Sequence, residues 1–320
     1  MQAAVLHTAS ETPRAESFAD PDLQGQELSA RVLAAGLHQL VRVHANGTHY
    51  TSPKRYPLVP GIDGVAELPD GRRVYFSWPR APYGTFAERV ALDPARAIEL
   101  PAGLDPVIAA AIVNPASASW FALRLRTALE AGEHVLVLGA TGASGQLAVQ
   151  NARALGAGRV IACGRNARVL AGLGADAALR IDAVDFAAQL EAEVAAHGVD
   201  VVLDFLWGPP ASAAMHALLS ARTSSAMAAR TVRYVNIGQS AAGTLELSPH
   251  ILRSMKFELL GSGLGSVTPP EMAREIPGLL AEAARGAITI AVEPIALSEI
   301  ERAWTVPAKD GRRVVIVPSP

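Results

Sequence analysis

Short apolar runs, closely punctuated by glycine and proline, occupy roughly the first 113 residues. Ala3–His7 predicts a short strand. Glu27–Ala34 alternates apolar and polar positions like a strand buried on one face. Turn residues then crowd the chain at Gly36, Gly47, Pro53, Pro57, Pro60, Gly61, Gly64, Pro69 and Gly71. Asp70-Gly71 predicts a hairpin turn between the apolar runs Gly64–Leu68 and Arg73–Phe76. Gly84–Leu92 reads as another strand.

The pattern changes near Asp105. Val107–Ile112 is rich in Ala and Ile, Pro115 predicts an interruption, and Ser119–Leu129 predicts a second helix. Apolar strands follow near 134–138, 159–163, 178–181, 199–204, 232–237 and 257–260, separated by Ala- and Leu-rich helical patterns. Such alternation predicts an α/β fold with a doubly wound parallel sheet covered on both faces. After Pro269 come a helix to about Arg285, a strand over 288–296, a short helix from Ser298 and a final strand Arg313–Val317.

The strand at 134–138 runs into Gly139-Ala140-Thr141-Gly142-Ala143-Ser144-Gly145, and a helical pattern follows. Strand, glycine turn and helix form the geometry of a dinucleotide diphosphate site. Glycine lets the backbone approach a phosphate, and the free N–H groups at the helix start face the anion. The residues after the next strand select the cofactor. NAD sites place Asp or Glu there, about 20 residues past the glycines, to bond the ribose 2′-hydroxyl. This chain has Arg165-Asn166, with Arg168 close behind. A guanidinium bonds a 2′-phosphate where a carboxylate would repel it, so the expected cofactor is NADPH (NADP+). Further turns follow the later strands: Asp204–Gly208 with Trp207, Asn236-Ile237-Gly238, and Gly261-Ser262-Gly263. Ligands of parallel sheets bind at such carboxyl ends.

Composition narrows the function classes. The chain has 320 residues, half of them hydrophobic, a length that suggests two domains. A formal net charge of −2 argues against nucleic-acid or polybasic membrane partners. The one cysteine, Cys163, excludes an internal disulfide and a cysteine-built structural zinc site. It sits on a core strand and reads as a buried, inert thiol. No basic, apolar leader opens the chain, and no uninterrupted apolar stretch approaches ~18 residues. The expected location is cytoplasmic.

Several segments match one family in register: Ala34-Ala35-Gly36-Leu37, Val59-Pro60-Gly61-Ile62-Asp63-Gly64, Gly84-Thr85-Phe86-Ala87-Glu88, Gly132–Val137 and Leu173-Gly174-Ala175-Asp176. With a β-rich start, a central Rossmann unit and returning strands at the end, the chain resembles the medium-chain dehydrogenase/reductase superfamily. Within it, the chain is similar to the zinc-independent NADPH:quinone oxidoreductase branch. The resemblance covers essentially the whole chain. It implies a GroES-like substrate domain from residues 1–115 and 267–320, and a Rossmann NADP-binding domain from 116–266. It also implies a homodimer through the edge strand around Phe257–Leu260.

The zinc alcohol dehydrogenases of the superfamily hold their metal through a Cys after the A-A-G-like turn and a His in a P-G-H-E motif. Here those positions are His38 and Ile62, and the four-cysteine lobe is missing. Isoleucine cannot ligate a metal. The other histidines (His7, His44, His49, His134, His197, His216, His250) form no metal motif. Zinc is not expected. Without a Lewis acid a simple alcohol is hard to oxidise, whereas a quinone or α,β-unsaturated carbonyl spreads the charge that hydride brings.

The resemblance places Tyr50, in the Gly47-Thr48-His49-Tyr50 loop, near the substrate as an oxyanion donor or proton source. One extra residue shifts that spacing relative to the family. His49 is a neighbouring donor candidate. His38 stands where zinc-free members often carry an Asn facing the nicotinamide. On the cofactor side the candidates are Gly139, Thr141, Gly142, Ala143, Ser144 and Gly145 for the diphosphate, with Arg165 and Asn166 for the 2′-phosphate. Asn114, Asn236, Ile237, Gly238, Gly261, Ser262 and Gly263 are the candidates for the nicotinamide end. Trp207 could flank a flat substrate, while Trp120 reads as core. The alternatives are a zinc-free alcohol or enoyl-thioester reductase, and a non-catalytic NADPH-binding sensor or interaction protein.

Overall fold

A computed structural model describes residues 1–48, 51–53, 55–307 and 311–318. His49 and Tyr50 lie outside the described residues. The first strands are β1 (Gln2–Val5), β2 (Arg14–Ser17), β3 (Leu28–Leu37), β4 (Asp63–Glu67), β5 (Arg73–Ser77), β6 (Arg89–Leu92) and β7 (Ile98–Glu99). Then come β8 (His134–Leu138), β9 (Arg159–Gly164), β10 (Ala177–Arg180), β11 (Val201–Asp204), β12 (Val232–Asn236) and β13 (Phe257–Gly261). The last are β14 (Val292–Ala296) and β15 (Arg313–Val317). The chain divides into two compact units, Met1–Asn114 with Ile276–Pro320, and Pro115–Glu275.

The second unit holds a six-stranded parallel sheet in the order β10-β9-β8-β11-β12-β13. In strand sequence this is 3-2-1-4-5-6, the doubly wound dinucleotide-binding order, with its reversal between β8 and β11. Alternate residues of each strand supply two cores. Leu136, Leu138, Ile161, Val202 and Tyr234 pack with helices Phe186–His197 and Gly208–Ala221. Val135, Val137, Val160, Val201, Leu203 and Val235 pack with helix Ala143–Ala154 on the other face. Burial on both faces explains why these strands read as continuous apolar runs.

The first unit is a seven-stranded, mostly antiparallel sheet, with β1 and β2 as a separate pair. The Asp70-Gly71 turn joins β4 to β5 as the pattern predicts, with Gly71 at φ +86° and Glu67 opposite Arg73. The predicted strand over 84–92 shortens to β6. A Cβ at Gly84 would stand 2.2 Å from Val59 O and 2.4 Å from Pro60 O, so close backbone approach rather than strand pairing governs that stretch. The strand expected over 288–296 begins only at Val292.

Pro115 does not interrupt its helix. Pro106–Phe121 is continuous through it and ends in a π-helical turn, Ala122–Arg126. Ala109–Val113, Ala116 and Trp120–Leu123 are all buried. That burial outweighs the hydrogen bond proline removes. Over Pro106–Arg126 this helix is long and apolar enough to cross a bilayer by length and composition alone, and 67% of its most apolar window is buried inside the protein. A core helix of a globular protein has these properties too.

Candidate functional site

In the second unit the carboxyl ends of β8, β9, β11, β12 and β13 share one edge of the sheet. At the end of β8, Gly139 adopts φ +92°, which L side chains rarely reach. Its N–H and that of Ala140 both donate to Cys163 O at 2.9 Å, which folds the turn onto β9. Each glycine has its own reason. A Cβ at Gly145 would lie 2.1 Å from Gly139 O, so that position is fixed by helix-to-turn packing. A Cβ at Gly142 would meet nothing nearer than Gly139 O at 3.7 Å, so the space over that residue is open to a ligand. The first intrahelical bond runs from Gln146 N–H to Gly142 O at 2.9 Å. The N–H groups of Ala143, Ser144 and Gly145 therefore belong to the unbonded first turn, suited to an anion. Open space at the middle glycine and packing at the last fit a dinucleotide diphosphate.

Arg165 is exposed just past β9, and Asn166 caps the next helix, its side chain accepting the Val169 N–H at 3.2 Å. Asp204, at the end of β11, is fully buried. One carboxylate oxygen accepts the N–H groups of Leu206 and Trp207 at 2.8 and 3.0 Å, and the other accepts the Tyr234 hydroxyl at 2.9 Å. Burial raises the Asp204 carboxyl above the ordinary range, and the two N–H bonds oppose this. The Asp204 carbonyl accepts from Ile237 and Gly238, so this residue ties the turn after β11 to the one after β12. Sequence reasoning did not single out Asp204. Its signal is an acidic residue ending an apolar strand.

The neighbouring loops interlock. Asn236 Nδ2 donates to Gly238 O at 2.8 Å, and Ser262 N–H donates to Asn236 O at 2.9 Å. Arg126 donates to Gly261 O at 2.9 Å, and Ser266 Oγ accepts the Gly263 N–H at 2.8 Å. Trp207, at φ +60°, packs partly against the apolar core beneath the sheet. Trp120 is buried. Cys163 is buried and unpaired, and burial pushes its thiol well above the ordinary range, which suits packing rather than nucleophilic chemistry. A cavity of about 650 Å³ in this unit opens at the amino ends of the strands. Arg230–Asp200 and Arg233–Glu133 ion pairs line it, so its charges are already matched.

In the first unit His38 directly follows β3, capping the helix Gln39–Ala45, and is 4% exposed. Its Nε2 lies 2.8 Å from Asp63 Oδ1, and Tyr75 donates its hydroxyl to Asp63 Oδ2 at 2.9 Å. Asp63 pairs with Ser77 and Tyr75 with Val65, so the two side chains are diagonal neighbours on one sheet face. A carboxylate oxygen accepts, so Nε2 carries the hydrogen, and Nδ1 is the buried atom with no partner. Burial, then the Asp63 charge, pushes the Tyr75 phenol well above its ordinary value. Ile62 is buried beside this group. Among the described residues no group of three or more His, Cys, Asp or Glu side chains could hold a metal ion. Asn114 is partly buried within the long helix.

No protein-family model matches the chain. A probable NADPH-dependent quinone reductase of Emericella nidulans is 31% identical over 371 aligned positions, covering 99% of this chain and 100% of that relative. A quinone oxidoreductase of Thermus thermophilus, whose structures include a complex with NADPH, is 28% identical with a TM-score of 0.75, covering 99% of this chain and 100% of that one. A mycocerosic acid synthase-like polyketide synthase of Mycobacterium tuberculosis is 33% identical over 218 residues, which make 67% of this chain and 10% of that protein. Identity above 30% along the full length of a quinone-reductase relative joins a GroES-like and Rossmann architecture: the chain belongs to the quinone-reductase-like branch of the medium-chain dehydrogenase/reductase superfamily.

Proposed function

We propose that this protein is an NADPH-dependent, zinc-independent oxidoreductase that reduces a quinone or an α,β-unsaturated carbonyl. The observation that carries the reading is the β8 turn, open over Gly142 and closed at Gly145, with Arg165 rather than a carboxylate after β9. Gly139, Thr141, Gly142, Ala143, Ser144 and Gly145 would hold the diphosphate, and Arg165 with Asn166 the 2′-phosphate. Asn114, Asn236, Ile237, Gly238, Gly261, Ser262 and Gly263 would serve the nicotinamide end. When bound, the reduced nicotinamide supplies hydride.

The first unit would supply hydrogen-bond donors to the oxygen of the acceptor. The donor candidates are His49 and Tyr50; His38, whose Nε2–H is taken by Asp63, would offer its Nδ1 lone pair to an N–H or O–H of substrate or cofactor, and Trp207 would flank a flat acceptor. A conjugated acceptor spreads the incoming charge over its own π-system, so positioning and donors suffice without a Lewis acid. The buried Ile62 and the engagement of His38 by Asp63 support zinc independence.

The reading includes a homodimer formed through β13. That strand is the outer strand of its sheet, and Leu259 is exposed on it, an edge that a symmetry mate would cover. It also includes a cytoplasmic location, supported by the unpaired thiol, and no nucleic-acid partner, supported by the net charge of −2. The likeness to a tenth of a polyketide synthase favours a second reading, enoyl-thioester reduction.

Steady-state NADPH oxidation with neutral quinones, simple enones and enoyl thioesters separates these. Quinones or enones should have the highest kcat/KM. A thioester preference would favour the second reading. NADPH binding with no turnover of any acceptor would leave a nucleotide-binding protein without catalysis.

A further inference from the structure

Trp207 holds a backbone conformation that belongs to glycine. Its φ is +60° and its ψ −172°, and Gly208 follows at φ +60°. A bulky side chain is disfavoured there, because its Cβ crowds the backbone. Glycine at 207 would carry the same turn without strain, so the indole is kept at a cost in stability.

The surroundings hold the strained residue in place. Asp204 Oδ1 accepts the Leu206 and Trp207 N–H groups at 2.8 and 3.0 Å. Leu206 O accepts the Ala241 N–H at 2.8 Å, and Phe205 O accepts the Ser240 N–H at 3.2 Å. A Cβ at Gly208 would stand 2.6 Å from Ala242 Cβ, so the chain is closely packed on that side as well.

The turn leaves β11 beside β8, where the strand order reverses. In doubly wound sheets ligands lie outside the carboxyl ends of the strands at such a reversal. Leu206 packs over the glycine turn, where a Cβ at Gly139 would stand 3.1 Å from Leu206 Cδ2. Trp207 rests partly on the apolar core and stays partly exposed at that edge. An indole supported in this way suits stacking on a flat conjugated ring.

We infer that Trp207 is a specificity-determining residue, a stacking wall that favours fused-ring quinones over small acceptors and is retained against backbone strain. The inference rests on the proposed reductase activity for its substrate and goes beyond it in ranking the acceptors.

Trp207→Gly, Trp207→Ala and Trp207→Phe separate strain from stacking. Trp207→Gly should melt about 2 °C or more above Trp207→Ala, because glycine alone relieves the backbone. At a position with ordinary φ the order is the reverse.

Stacking is read from the ratio of kcat/KM for 9,10-phenanthrenequinone to that for methyl vinyl ketone. The ratio should fall about fivefold or more in Trp207→Gly and Trp207→Ala, and Trp207→Phe should keep most of it. Packing alone would leave this preference untouched. Calorimetric titration of phenanthrenequinone into protein loaded with NADP+ needs no turnover, and should show the same loss of affinity.

An unchanged ratio in Trp207→Gly and Trp207→Ala overturns the inference. So does a weaker NADPH Kd with all acceptors affected alike, which would give the indole to the nicotinamide. Trp207→Gly melting below Trp207→Ala would remove the strain on which the inference stands. A wild type that binds phenanthrenequinone through Trp207 but turns over no acceptor would sink the reductase reading alone.

Discussion

His38 Nε2 and Asp63 Oδ1 lie 2.8 Å apart with both side chains buried, 4% and 1% exposed. The opposite carboxylate oxygen is taken by Tyr75, so one acidic group satisfies two polar side chains of the interior. Removing it strands both. Asp63→Ala is expected to lose about 3–5 kcal/mol of stability, and Asp63→Asn distinctly less, by denaturant unfolding. Equal stability of Asp63→Ala and wild type would show that the contact does not hold the site together.

The glycine turn offers a paired test. Gly145→Ala places a Cβ 2.1 Å from Gly139 O and 2.7 Å from Ala140 Cα, so the helix must shift and stability should fall by about 1–3 kcal/mol or more. Gly142→Ala meets nothing nearer than 3.7 Å, so its melting temperature should stay near wild type. Its NADPH affinity should nevertheless weaken at least about tenfold, because the methyl occupies space the diphosphate needs. Calorimetric titration with NADPH and thermal melts of the two variants separate packing from binding.

The proposed role of Arg165 is to select the phosphorylated cofactor. Arg165→Ala should lower kcat/KM for NADPH about tenfold or more, the worth of a charge-assisted bond to phosphate, and leave NADH use nearly unchanged. An equal fall with both cofactors would place the role of Arg165 elsewhere.

The buried Asp204 makes a signed prediction about pH. Its native carboxyl titrates above the ordinary value because burial disfavours the charge. Between the ordinary value and the raised native one, the folded state binds more protons than the unfolded state, so this group's contribution to stability falls as pH rises. Below the ordinary value and above the raised one its contribution is flat. Asp204→Asn removes the effect while leaving an oxygen for the Leu206 and Trp207 N–H groups. The stability of wild type relative to Asp204→Asn should therefore be greatest at acid pH and decline through that window. A difference that grew with pH would reverse the sign and refute the assignment.

The parts legible in the sequence are those where local chemistry and burial agree. Val135–Leu138 had to be apolar because the sheet is covered on both faces, and Gly139 and Gly145 because one has positive φ and the other no room for a Cβ. Asp70-Gly71 announced its hairpin for the same reason. The misreadings are places where tertiary structure overrides local preference. Pro115 is carried by a helix buried on either side of it. Arg14–Ser17 is polar and mostly exposed, and is a strand only because β1 offers it backbone partners.

The polar groups of the first unit were harder to see. His38 was visible beside its motif, but its partner Asp63 stands 25 residues away, and Tyr75, which shares that carboxylate, 12 further on. What brings Asp63 and Tyr75 together is the register of β4 against β5, which the Asp70-Gly71 turn sets. Reading that register outward from the turn would have found the pair.

The central claim is that hydride reaches a conjugated acceptor without a metal. The most direct measurement is NADPH oxidation by 1,4-benzoquinone with protein dialysed against chelator and shown to be metal-free by mass spectrometry. Undiminished turnover in metal-free protein is the result this account predicts. Activity lost with the chelator and restored by zinc would contradict it, and would mean that residues other than Ile62 and Cys163 complete a metal site with His38.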